Sequence, residues 1–126
     1  MLKSVLLVGA GSFAGGVLRY LVSLLMKGTF ASLFPWATLA VNLAGCFVIG
    51  VIYALLARSG SASHALCLLL TTGFCGGFTT FSAFANEGLM MLQSGNIGAF
   101  LAYVLTSVFA GVAMVAFGYW AISIFG

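Results

Sequence analysis

Charge is what this chain has least of. Its 126 residues include four Lys or Arg and one Asp or Glu, 4% charged in all, where a soluble domain of that length carries about a quarter. A water-soluble fold is excluded on that ground. There is one histidine, His64, and one acid, Glu87, so no base, nucleophile and orienting acid can be assembled, and an enzyme is not expected. The net charge of +3 is spread over separate segments, which leaves nucleic acid without a basic patch to bind. Cys46, Cys67 and Cys75 are odd in number and lack metal-ligand spacing, so they read as small buried hydrophobes. There is a single proline.

What is present is apolar length. The chain is 63% hydrophobic, and runs of more than ~18 apolar residues, long enough to cross hydrocarbon, recur along it. Four spans are expected: Ser4 to Met26, Trp36 to Ala57, Ala65 to Leu92 and Ile97 to Phe125. The runs are apolar on all sides, without the alternation of a barrel strand. Short segments with loop chemistry separate them, Lys27 to Pro35, Arg58 to His64, and Gln93 to Asn96 with its Ser-Gly-Asn turn. The reading is one all-α membrane domain over 1–126, with no room for a domain outside the lipid bilayer. Lys3 and the run behind it are too long for a signal peptide and contain Arg19, so they read as mature helix one.

With four spans, Lys3 and Arg58 fall on one side of the membrane, Lys27 and Arg19 on the other. Orientation follows an excess of Lys and Arg on the cytoplasmic side, and here there is none. Insertion in both orientations is expected, although one loop charge or the lone Glu87 would be enough to tip so small a balance. Polar groups inside the spans need partners, and Gly11 with Gly15 and Gly73 with Gly77 have the small-xxx-small spacing that brings helices together. If both orientations are made, an antiparallel homodimer is the simplest closed assembly.

Thr71 to Phe84 is the most informative stretch. Its three glycines and four threonines within ten residues predict a third helix broken at mid-membrane, a structure that persists only where protein or a water-filled cavity satisfies the freed backbone and that commonly binds ions. A glycine-rich packing face with threonines bonded back onto their own helix is the alternative. Asn42 either ties helices together or turns its amide toward an anion, with Thr38 on the same side one turn earlier. Arg19 either snorkels to water or attracts anions at a vestibule. Phe81 and Phe84 share a face; they are packing residues, or they turn electropositive ring edges into a narrow pore. Together these residues favour an anion path over a cation path.

Three motifs, one on each of the first three helices, carry a family resemblance: Gly11 to Tyr20, Thr38 to Gly45, and Gly73 to Phe84. They resemble the signatures of the CrcB/Fluc fluoride channels. The resemblance implies a dual-topology antiparallel homodimer in a bacterial inner membrane, with two pores that pass fluoride passively and reject chloride. By it, Phe81 and Phe84 correspond to the pore phenylalanines, Asn42 to the pore asparagine, and Ser82 and Thr80 to nearby hydroxyls. Backbone carbonyls of Gly76 and Thr79 from both subunits would hold a central sodium ion. Tyr103 and Ser107 resemble the start of a polar track, with Thr106 close by, which fades where Gly111 and Val115 lack hydroxyls. Ala37 stands where the family pattern has glycine. A small multidrug exporter has the same span count, but proton-coupled export needs an intramembrane carboxylate, which helix one lacks. A structural membrane subunit is the other alternative.

Overall fold

The computed structural model describes residues 1–26, 34–59 and 64–125. Lys27, counted above in the charge balance, lies outside the described residues. All regular structure among them is helical, in four stretches long and apolar enough to span a membrane. These run Leu2–Met26, Trp36–Arg58, His64–Gln93 and Ile97–Ile124, so that His64, expected in a loop, begins the third span.

Helix α1 covers Leu2–Met26 and α2 covers Trp36–Ser59; at about 1.5 Å per residue each exceeds the ~30 Å of hydrocarbon. The third span is composite: α3 over His64–Cys67, a π-helical stretch over Leu68–Cys75, the short α4 over Gly76–Phe78, two extended residues, then α5 over Phe81–Gln93. Helix α6 covers Ile97–Phe125. Between α5 and α6 the expected turn forms with Gly95 at φ +80°, a backbone region open to glycine. The Gly95 and Asn96 amides reach back to Leu92 and Met91, which closes α5 in a Schellman motif. Asn96 then accepts from the Ala99 amide at 3.0 Å and starts α6.

Two helix pairs make up the body, and both depend on glycine. A Cβ on Gly50 would run into the Val115 carbonyl, and one on Gly118 into the Phe47 carbonyl, so α2 and α6 touch backbone to backbone. Likewise α1 lies on the third span: Gly11 meets the backbone of Leu69, Gly73 and Phe74, Gly15 that of Phe74 and Phe78, and Gly77 that of Ser12. The small-xxx-small pairs expected to serve assembly are therefore used within one chain.

Beyond the break α5 leaves α1 and packs on α6, where Gly88 faces the Phe100 ring. A small core forms there from Leu39, Met91 and Tyr103, with Phe34, Leu43, Phe84 and Phe100 against it. Elsewhere large apolar side chains face outward, among them Phe13, Phe109, Val112 and Trp120. That surface suits lipid or a partner, since soluble monomers rarely expose such contiguous apolar area.

Candidate functional site: a groove at the helix break

The break is two residues long. Thr79 has φ −82°, ψ 159° and Thr80 φ −148°, ψ 115°, so both are extended and no i to i+4 hydrogen bond can cross them. Above it the π-helical turn is accompanied by back-bonding, with the Thr71 hydroxyl donating to the Cys67 carbonyl at 2.6 Å. Thr79 does the same to Cys75 at 2.8 Å. Both sequence readings of this stretch therefore hold: it is a glycine packing face with back-bonded threonines, and it is also a broken helix.

Side chains from other elements engage the opened backbone. Asn42 accepts from the Thr80 amide at 2.8 Å and donates through Nδ2 to the Thr80 carbonyl at 3.2 Å, the paired pattern of one rung of a β-ladder. Arg19 donates through Nε to the Gly77 carbonyl at 3.3 Å; it is thus tied into the third span rather than only reaching for water. Thr80 caps α5, its hydroxyl accepting from the Ala83 amide at 3.2 Å.

Beside the break lies an open groove of about 380 Å³. It brings together Asn42, Thr80, Phe81, Phe84 and Ser107 of the expected anion residues, and Gly76 and Thr79 of the expected cation residues. The two rings stand 5.7 Å apart at 49°, with Phe81 79% exposed. Ser82 is at the margin, its hydroxyl 3.4 Å from that of Thr80. Thr38, Tyr103 and Arg19 do not line the groove. Thr38 and Tyr103 instead stand next to Glu87, and the Tyr103 ring lies 5.0 Å from that of Phe84.

Sequence reasoning missed two features here. Glu87 places a carboxylate inside the third span, beside the hydroxyls of Thr38 and Tyr103, and the buried Ser107 hydroxyl has no hydrogen-bond partner among the described residues. Tyr103 and Ser107 are four apart on α6 and so on one face. The signal was available, since Glu87 follows Phe84 by one turn, but its partners are distant in sequence. The groove is also lined by Cys46 and Cys75, placed in advance only as buried apolar residues.

A buried hydroxyl without a partner is costly in hydrocarbon, so polar atoms gathered at a groove, next to freed backbone and ring edges, form a surface able to take up a small hydrated ion. Gly76 and Thr79 suit a cation through their carbonyls. In a continuous helix these would accept from the amides of Thr80 and Ala83, and those amides are directed to Asn42 and to the Thr80 hydroxyl. The ordinary helical donors to these two oxygens are thus engaged elsewhere.

The family model described as CrcB-like protein, Camphor Resistance (CrcB), matches residues 6–119. Among relatives, a protein of Phocaeicola vulgatus named fluoride-specific ion channel FluC is 44% identical over 94% of this chain and 98% of its own length. Proteins of the same name from Chlorobium phaeobacteroides and Leptospira interrogans are 48% and 42% identical, over 91% and 98% of this chain and 89% and 97% of theirs.

Proposed function

This chain belongs to the CrcB-like family, and from that membership and the chemistry of the groove we propose that it is a passive, fluoride-selective channel that lets the anion leave the cytoplasm. It is a multi-pass membrane protein, and its named relatives are ion channels rather than enzymes. The observation that carries the reading is the groove: donors on Asn42, Thr80 and Ser107 stand with the Phe81 and Phe84 rings beside a broken helix. Fluoride is small and strongly hydrated, so a path for it must replace water with hydrogen-bond donors and the electropositive edges of rings. A narrow path of that kind turns away larger halides.

On this reading Asn42 serves twice. One amide hydrogen holds Thr80, and the second is available to the anion. Ser107 donates from α6, and Tyr103, with Thr38 and Ser82, extends the polar surface away from the break. Outward flow needs no pump, because an inside-negative potential drives a monovalent anion out with about 2.3 kcal/mol per 100 mV.

The working unit in this proposal is an antiparallel homodimer made from both insertion orientations, in a bacterial inner membrane. The open groove and the outward Phe81 ring support it, since one chain leaves the path unwalled on one side. Sodium would be held by the Gly76 and Thr79 carbonyls together with the same atoms of the second copy, because two ligands are too few for a hard cation. Its contribution would be charge that fixes the two breaks against each other.

The test is anion efflux from liposomes carrying the purified protein, followed with fluoride and chloride electrodes after addition of a potassium ionophore. Fast fluoride loss without chloride loss, abolished by Phe81→Ile, is the expected result. Well-folded dimers that release no fluoride would return the weight to an accessory subunit.

A further inference from the structure

A helix that contains two extended residues has a competitor, the same segment with its helix closed. Closing it would need the Thr80 amide on the Gly76 carbonyl and the Phe81 amide on the Gly77 carbonyl, the ordinary i to i+4 pairs. In the structure one member of each pair is already engaged by a side chain from another span. Asn42 of α2 holds the Thr80 amide at 2.8 Å, and Arg19 of α1 holds the Gly77 carbonyl at 3.3 Å.

We infer that Arg19 and Asn42 are positioning residues that keep the third span open, each occupying one member of a backbone pair whose formation would close the helix. The two clamps come from different spans, Arg19 of α1 acting on Gly77, before the break, and Asn42 of α2 on Thr80, within it. Arg19 is the more informative of the two, because it lies outside the groove and its effect on flow must pass through the backbone it holds. Ser12, two turns before Arg19 on α1, donates its hydroxyl to the Gly73 carbonyl at 3.4 Å, one turn before Gly77, so α1 sets a second donor against the third span.

The donor atom supplies a test that separates this role from simple attraction of anions by a positive charge. Arg19 donates through Nε, and the amide nitrogen of glutamine is the same number of bonds from the backbone. Arg19→Gln therefore keeps the donor and drops the charge; Arg19→Lys keeps the charge and moves the donor one bond outward; Arg19→Met removes both. For the full chain in liposomes, the expected order of fluoride flux is glutamine above lysine above methionine. Arg19→Met should fall by about tenfold or more, the scale of one lost hydrogen bond to a charged donor. Lysine above glutamine would overturn the inference in favour of charge, and an unimpaired Arg19→Met would overturn it outright. If Arg19→Met does not fold, the order of glutamine and lysine decides alone.

The flux arm rests on the channel reading, and a second arm does not. Amide hydrogen exchange over the segment Gly76 to Ala83 should slow in Arg19→Met relative to the unchanged chain, as the released carbonyl pairs with the Phe81 amide. Unchanged or faster exchange would overturn the clamp. An unchanged chain that passes no fluoride would sink the channel reading and leave the exchange result to judge the clamp.

Discussion

Asn42 shows how a residue can be recognised in a sequence while its partner stays hidden. A carboxamide at the middle of a span predicts a partner or a function, and both of its ends are engaged by the backbone of Thr80, 38 residues away. Nothing local in Thr38 to Gly45 encodes that distance. The same limit separated Thr38 from Asn42. The two share a helix face, but one turn is about 5.4 Å along the axis, enough for Asn42 to reach the break while Thr38 meets Glu87 and Tyr103. Asn42→Leu leaves the Thr80 amide and carbonyl without partners at membrane depth, at about 1–3 kcal/mol for each unmet group. The protein should lose thermal stability, read as a lower temperature of disappearance from the size-exclusion peak after heating, and fluoride efflux should fall with it. A variant that melts like the unchanged chain would mean that Thr80 finds other partners.

At the scale of elements, the four spans and the turn at Gly95 were legible because length, hydropathy and turn chemistry are local properties. The break was legible as a region, Thr71 to Phe84, but its two extended residues were not, because Gly76 and Gly77 stayed helical and Thr79 and Thr80 opened. The glycines of the stretch serve packing, Gly73 and Gly77 being small to let α1 approach, while the opening falls at two of its threonines, where side chains of other spans hold Thr80 and Gly77. The π-helical turn over Leu68–Cys75 had no sequence signature beyond a threonine able to bond backward. Helix α1 supplies a matched pair of substitutions. Gly15→Ala places a methyl against the Phe74 carbonyl and 2.8 Å from the Phe78 amide nitrogen, while Gly9→Ala meets nothing within 4 Å. Overpacking of this kind costs about 1–3 kcal/mol, so Gly15→Ala should melt lower and lose flux. Gly9→Ala should be neutral or slightly stabilising, since alanine is the better helix former by about 0.5–1 kcal/mol. On α6, Gly111 faces Cys46 Sγ at 3.6 Å from where a Cβ would stand, an ordinary contact. Gly111→Ser should therefore fold as the unchanged chain does, whereas Gly118→Ala, directed into the Phe47 carbonyl, should not. Equal melting of these two α6 variants would show that α2 and α6 yield more easily than their backbone contact implies.

For the whole molecule, the core is small and large apolar side chains face outward, a surface that suits lipid or a partner. The groove is open, Phe81 is 79% exposed, and the buried Ser107 hydroxyl has no partner among the described residues. Two copies in opposite orientations would wall the groove from both sides, and the sparse charge is what would allow both to be made. Arg19, tied to the Gly77 carbonyl inside the third span, is a weaker topological signal than a loop charge, which leaves Lys3 and Arg58 against Lys27, an excess of a single charge. Counts this low are moved by small additions. Two lysines added beside Lys3 should hold that end in the cytoplasm, and a reporter fused after Phe125, on the same side because the spans are even in number, should lose its dual location and read as cytoplasmic alone. Fluoride efflux should disappear from cells making only this variant and return when a second variant, biased the other way by lysines in the loop that carries Lys27, is made with it. Full efflux from a single fixed orientation would remove the antiparallel dimer from the proposal, because a channel that works when every copy points the same way does not need its partner inverted.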